Sequence, residues 1–293
     1  RDIANSYIAL YGRHNRVDHC DLTGKLNLGV TLVVILNEER NLQNCHRIDH
    51  NLFGYRPVYG SNGAETIRVG TSHEAYSSSN TIIEDNLFDR CNGEVEVVSI
   101  KSSDNIIRNN RFWECEGVLA LRHGDRNEVC GNVFVGNGKR NTGGVRVVNA
   151  GHRIHDNRFY SLAGGRFFSA LALMNAVPNS LPNRYCLVED IDIRDNLFVD
   201  CTNIEFGTGK DQERTLAPER VLFENNTIVN RSLCRLYIAI DRLDGITFRG
   251  NRAELPESYK ADGFKFVKAK VAAAPSYEEM AEGTGAGRHP VSN

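Results

Sequence analysis

The phrase Asn-x-Phe returns along this chain at short intervals, and that return excludes most folds. It stands at Asn51-Leu-Phe53, Asn86-Leu-Phe88, Asn110-Arg-Phe112, Asn132-Val-Phe134, Asn157-Arg-Phe159 and Asn196-Leu-Phe198, with a weaker copy at Asn226-Thr-Ile228 and a vestige at Asn251. The steps from Asn to Asn are 35, 24, 22, 25, 39, 30 and 25 residues, a basic period of 22–25 with loop insertions in some copies. A period in this range marks a solenoid, whose repeats each pack only on their neighbours. Between the marks lie short β-branched runs: Thr81-Ile82-Ile83, Val95 to Ile100, Asn105-Ile106-Ile107, Gly144 to Val148 and Asp190 to Ile193. Gly, Asn and Asp punctuate them, the pattern of short strands and frequent turns. The Leu-x-x-Leu-x-Leu pattern of leucine-rich repeats and the long amphipathic windows of helical repeats are both missing. What remains is an all-β, right-handed parallel β-helix, with roughly three strands and three turns per coil.

The recurring Asn suits a turn, because it tolerates the left-handed conformation and its amide bonds to nearby backbone. Stacked coil upon coil, these residues are expected to form an inward ladder, with the Phe two places later stacking beside it. Cys91, Cys115 and Cys201 each stand five residues after such an Asn. A cysteine that recurs in register is expected to be a small buried packing site rather than half of a disulfide. The segment Ile3 to Leu10 already looks like part of a coil, so the pattern starts inside the solenoid and an N-terminal cap is expected to be missing. The β-helix is expected over 1–270. Residues 271–293, rich in Ala, Gly and Glu, are expected to be a flexible tail.

The 293 residues are 41% hydrophobic, ample for a sizeable core, and carry a net charge of −2. No global basic field favours nucleic acid or an anionic membrane surface as partner. An anionic ligand must be met by a local basic patch. No run of 18 apolar residues is present. The chain begins at Arg1 without a basic-plus-apolar signal segment, which a mature secreted protein and a fragment would share.

Charged residues of complementary kinds fall in one sector of the repeat. Asn62 lies 11 residues after Asn51; Glu94, Glu96 and Lys101 lie 8, 10 and 15 after Asn86; Arg122 lies 12 after Asn110; Arg146 lies 14 after Asn132. Adjacent coils stack at about 4.8 Å, so these positions converge on one face. Glu94 and Glu96 are two apart on a strand and share a face, with Val95 pointing to the core. Two such carboxylates suit a hard cation, and calcium accepts carboxylates plus an amide oxygen such as that of Asn62. A solvated acidic face balanced by Lys and Arg would look the same. Lys101 suits a general base, and Arg122 can hold an anion. His123 is either a polar neighbour of Arg122 or a turn residue. His46 and His50 have zinc-like spacing but lack the helix that this spacing requires. No Gly-x-Ser-x-Gly supports a nucleophilic triad.

Several phrases, taken together and in order, carry a resemblance. They are Arg16-Val-Asp-His-Cys20 with Gly24-Lys25, Ile48-Asp-His-Asn-Leu-Phe-Gly54, Asn62-Gly-Ala-Glu-Thr-Ile-Arg-Val-Gly70, Gly93-Glu-Val-Glu96, Ile100-Lys101-Ser102, Leu121-Arg-His-Gly124 and Gly143-Gly-Val-Arg146. The chain resembles polysaccharide lyase family 6, which contains alginate lyases and chondroitinase B. Met174-Asn-Ala-Val-Pro-Asn179 and Asn183-Arg-Tyr185 favour the alginate branch. The resemblance implies calcium bound by Asn62, Glu94 and Glu96, Lys101 as base and Arg122 as acid. Arg146 would contact substrate, with His123, Arg184 and Tyr185 as further substrate contacts. Ala64 stands where alginate lyases usually have Gly, and Val145 and Val147 replace Ile. The implied activity is calcium-dependent β-elimination of alginate by a monomer in a bacterial secreted or periplasmic setting. A dermatan sulfate lyase, or a β-helical polysaccharide-binding module without activity, are the alternatives.

Overall fold

The computed structural model describes residues 5–60 and 62–286. The chain winds through three parallel sheets of nine, nine and ten strands, adding one strand to each sheet per coil. It is the right-handed parallel β-helix that the repeat predicts. One coil runs from Glu96–Lys101 in the first sheet to Ile106–Arg108 in the second and Arg111–Trp113 in the third. The next coil pairs above it with Gly117–His123, Glu128–Cys130 and Val133–Val135.

The ladder is present in full. The Nδ2 amide of Asn51 donates to Oδ1 of Asn86, and the relay continues through Asn110, Asn132, Asn157, Asn196, Asn226 and Asn251 at 2.9–3.3 Å. Each Oδ1 also accepts the backbone N–H of the preceding rung, as Asn110 does from Asn86. These asparagines are not themselves the left-handed residues. That conformation falls one place earlier, at His50, Asp85, Asn109, Gly131, Asp156, Asp195, Asn225 and Gly250. The bend is made by one residue so that the next can turn its amide inward and satisfy buried backbone. The phenylalanines follow: Phe53, Phe88, Phe112, Phe134, Phe159 and Phe198 form a column of near-parallel rings with centroids 4.4–5.0 Å apart. Cys91, Cys115 and Cys201 are buried free thiols, as their register predicts. His46 takes a ladder-like place, its Nδ1 accepting from Asn15 N–H, and His50 stacks on His19 at 4.9 Å.

The expected tail differs over its described part. After Phe264–Phe266 the chain turns back along the third sheet, and a short helix, Tyr277–Ala281, docks there. Ser276 and Glu279 cap it reciprocally. Met280 and Ala281 are buried in an apolar cluster with Leu87, Val135, Tyr160 and Val199. Tyr277 meets the Trp113 ring edge-on at 5.5 Å, and Arg111 Nη1 donates to the Met280 carbonyl. Gly285 N–H reaches the His50 carbonyl at 2.8 Å. The composition suggested flexibility because so few residues make the attachment. Residues 287–293 lie outside the described residues.

The ladder makes one prediction. Asn110→Leu removes the acceptor for two Asn86 donors and the donor to the Ile83 carbonyl, all buried. Urea unfolding should show a loss of about 3–5 kcal/mol. A loss below about 1 kcal/mol would mean that the ladder is not a source of stability.

Candidate active site

The first sheet orders the strands Ile67–Val69, Glu96–Lys101, Gly117–His123 and Thr142–Val147 as neighbours. Arg68, Ser99, Ala120 and Arg146 form one register row across them. Val69, Ile100, Leu121 and Val147 are fully buried and hold the strands to the core. Two irregularities break the simple alternation. The register shifts between Glu96 and Val98, and again where Ile100 pairs Leu121 but Lys101 pairs His123. Arg122 is the extra residue of the second shift. Such bulges twist a strand and re-aim side chains. The first one overturns the expected strict alternation. Val95 is only half-buried, while Val97 and Val98 both enter the core. Glu96 and Ser99, three apart, can therefore meet, and Ser99 Oγ donates to Glu96 Oε2.

Glu96 is the hub. It is buried, with Oε1 in contact with an Arg146 Nη atom and 3.7 Å from Arg122 Nε. Burial alone would raise its pKa, but Arg146 and Lys101 outweigh that and hold it below the usual carboxylate range. Glu94 is the opposite case. Burial, then the adjacent Glu65 and Glu96, push its pKa up to about 8. Lys101 reaches Glu65 Oε1 at 3.4 Å with its side chain partly exposed.

Arg122 spans the other side. Its Nη1 donates to the Arg184 carbonyl at 2.8 Å, and its guanidinium lies 4.5 Å from the Tyr185 ring centroid. Arg214 approaches the same ring at 5.0 Å, and Arg146 lies over Phe167 at 5.8 Å. Two aromatic faces thus support three guanidinium groups. Tyr185 lies in the site against Arg122. Arg184 comes only through its carbonyl, since its side chain is exposed and paired with Glu213. His123 is placed differently from a substrate contact. It is 1% exposed, with Nε2 3.1 Å from Ser72 Oγ and Nδ1 3.5 Å from Arg122 Nη1. Burial, with Arg122 and Lys101 nearby, lowers its pKa to about 3. It is a neutral ring behind Arg122.

Asn62 is exposed in the loop that precedes Ile67–Val69. That loop lies against the turn before Glu94: Tyr59 N–H donates to the Gly93 carbonyl at 2.9 Å, and any Cβ at Gly93 would strike the Ala64 carbonyl. Arg56, fully buried, clamps the loop from beneath. Its guanidinium donates to the carbonyls of Ala64, Glu65, Asn27 and Gly29 at 2.8–3.0 Å and to Thr31 Oγ1 at 3.3 Å. Neither Glu65 nor Arg56 was picked out as a site residue from the sequence. Glu65 had a signal, standing three residues after Asn62 in the same sector. Arg56 had none.

The Glu94 shift predicts a pH dependence. A carboxyl whose folded pKa is raised stabilises the fold fully below its unfolded value of 4.5, and that contribution is lost as pH rises through about 8. In chelator-treated buffer the melting temperature should fall over this window, and Glu94→Gln should flatten the fall. An equal slope in both proteins would place the titrating group elsewhere.

Comparisons with known proteins bear on the family. The family profile for chondroitinase B matches residues 1–282. No curated protein sequence matches significantly. Two structures of the PL6 family alginate lyase AlyGC, one of them a mutant, are 41–42% identical with TM-scores of 0.90–0.91. They cover 99% of this chain and 43% of that one, so the chain spans less than half of AlyGC's length. A family 6 lyase from human gut microbiota, described as mannuronic acid specific, is 32% identical with a TM-score of 0.81, over 96% of this chain and 66% of that one. By the profile match along nearly all its length, the chain belongs to polysaccharide lyase family 6, the family of chondroitinase B.

Proposed function

We propose that this chain cleaves alginate by β-elimination, with Lys101 as base and Arg122 as acid and anion stabiliser. The convergence of Lys101, Arg122 and Arg146 around one buried acid pair carries the proposal. A uronate unit presents a carboxylate at C5, whose hydrogen is only weakly acidic. Arg122 and Arg146 offer cationic forks for that carboxylate, which lessens the cost of negative charge as the C5–H bond breaks. The amine of Lys101 takes the proton. The C5–H electron pair forms the C4–C5 double bond, and the C4–O bond breaks. Arg122 would stabilise the departing oxygen, and burial lowers its pKa, which eases the giving of a proton. No water is consumed. A glycosidase would instead need its two carboxylates on either side of the bond being cut. Glu94 and Glu96 lie side by side on one coil and do not provide that.

The acids fit a hard dication. Glu65 Oε2 is buried without a hydrogen-bond partner, and Glu94 is driven toward protonation by burial and then by its acidic neighbours. All the available donors are oxygens, which suits calcium. Asn62, Glu94 and Glu96 would hold it, with Glu65 beside them. The ion would supply positive charge for the substrate carboxylate. Glu65, Glu94 and Glu96 do not all bring donor oxygens within 4.8 Å of one another. Arg146 and Ser99 draw Glu96 aside.

The test is the ultraviolet absorbance of the conjugated product on alginate and on dermatan sulfate, with and without chelator. Absorbance should rise on alginate and fall away with chelator. A rise on dermatan sulfate alone would move the substrate assignment to the other branch, and no rise on either polymer from folded protein would remove the lyase reading. Lys101→Ala should lower turnover by roughly 10²–10⁴-fold with the melting temperature unchanged.

A further inference from the structure

On the second sheet, away from the cleft, three side chains with different donor atoms meet. Glu128 and Cys130 stand at the ends of one three-residue strand and project from its outer face, while Val129 between them is fully buried. Cys130 faces His155 in register on the next coil. One donor atom from each of Glu128, Cys130 and His155 lies within 4.8 Å of the other two.

The imidazole is already held in a ligand's posture. Its Nδ1 is 2.7 Å from Asp156 Oδ2, and its Nε2 is 2.9 Å from Glu128 Oε1. A metal-binding histidine usually gives one ring N–H to a carboxylate, which fixes the direction of the other nitrogen. Arg153 engages Glu128 through Oε2, the oxygen that does not face the ring. Arg108, the register partner of Cys130 on the coil before, is tied to Glu84 at 2.6 Å. Arg194, the register partner of His155 on the following coil, is paired with Asp192 at 3.5 Å, so of the three flanking arginines only Arg153 engages a member of the trio.

We infer that Glu128, Cys130 and His155 form a binding site for a borderline divalent transition-metal ion, with zinc the best fit. A sulfur, nitrogen and oxygen set suits zinc, whereas calcium takes oxygen donors. Three protein ligands leave a fourth position for water. Zinc ligand distances of about 2.0–2.3 Å put neighbouring donors about 3.5 Å apart in a tetrahedron. Rotation of the side chains closes the trio to that spacing on a fixed backbone. The ion replaces two protons, the thiol proton of Cys130 and the proton between His155 Nε2 and Glu128, and both pass to solvent. The His155 Nδ1 proton stays on the ring and is donated to Asp156 Oδ2. The bound ion joins two successive coils and binds the folded chain only, so it raises stability.

Cobalt(II) is the probe, added to chelator-stripped, reduced protein. One equivalent should bind with a near-ultraviolet thiolate-to-cobalt band and raise the melting temperature. Cys130→Ser should lose the band, and His155→Gln should weaken binding by at least about tenfold. Both variants keep the wild-type circular dichroism spectrum. Should Cys130→Ser not fold, Glu128→Gln is read instead and should weaken binding similarly. Absence of the band at one equivalent, or its persistence in Cys130→Ser, overturns the site. The second result would assign the metal to another thiol, such as exposed Cys45 or Cys234. No arm of the test depends on lyase turnover.

Discussion

The bond from one Asn amide to the next, coil after coil, is the constraint on which the other features of this protein depend. Parallel strands place successive coils about 4.8 Å apart, and a polar group buried at that spacing must find its partner in the neighbouring coil. Each ladder Asn uses its amide for its neighbours' side chain and backbone together. A shift of one residue in any coil would leave several buried donors without acceptors, so the ladder fixes register as well as adding stability. Fixed register is what brings Lys101 beside His123 and Arg146 beside Ala120.

The cleft draws its electrostatics from the same geometry. Side chains from neighbouring coils on one face lie close together whatever their sequence separation, so charge placed there interacts strongly where water is scarce. Two acids two residues apart end in opposite states. Glu96 meets Arg146 and keeps its charge; Glu94 meets Glu65 and tends to lose it. The difference comes from which coil supplies the neighbour. The two coils above offer Arg122 and Arg146 in turn, and the coil below offers another carboxylate. Glu96, Arg122 and Arg146 hold their charges on strands whose register is fixed, while Glu94 and Glu65 lie in the segments that lead into such strands.

Much of this was legible in the residues. The Asn-x-Phe period disclosed the solenoid, and adding register to it gathered Glu94, Glu96, Lys101, Arg122 and Arg146 on one face. What escaped was whatever depended on a departure from the repeat. Period-2 alternation put Val95 in the core, but the shift before Val98 placed Val97 and Val98 there. His123 reads as polar and available beside Arg122, yet the second shift leaves it buried against Ser72. The final helix rests on Tyr277 and Met280, too few residues to produce a pattern. Arg56 was invisible for a different reason. Nothing in a lone arginine says that its partners will be backbone carbonyls.

Arg56 also shows why loops of a β-helix can hold a site as firmly as its strands. A fully buried guanidinium is costly unless its donors are satisfied, and the two Nη groups of Arg56 donate to carbonyls of two separate loops and to one hydroxyl, while Nε has no partner. Burial lowers its pKa, yet guanidinium remains charged, so the clamp does not titrate at working pH. Lysine could not replace it, since a point ammonium with three donors cannot reach the same set of acceptors. The loop bearing Asn62 and Glu65 is therefore fixed at Ala64 and Glu65 by interactions beneath the cleft, while Asn62 itself stays exposed. The backbone that carries Glu65 is thus held from beneath the cleft, by bonds that do not involve the charges within it.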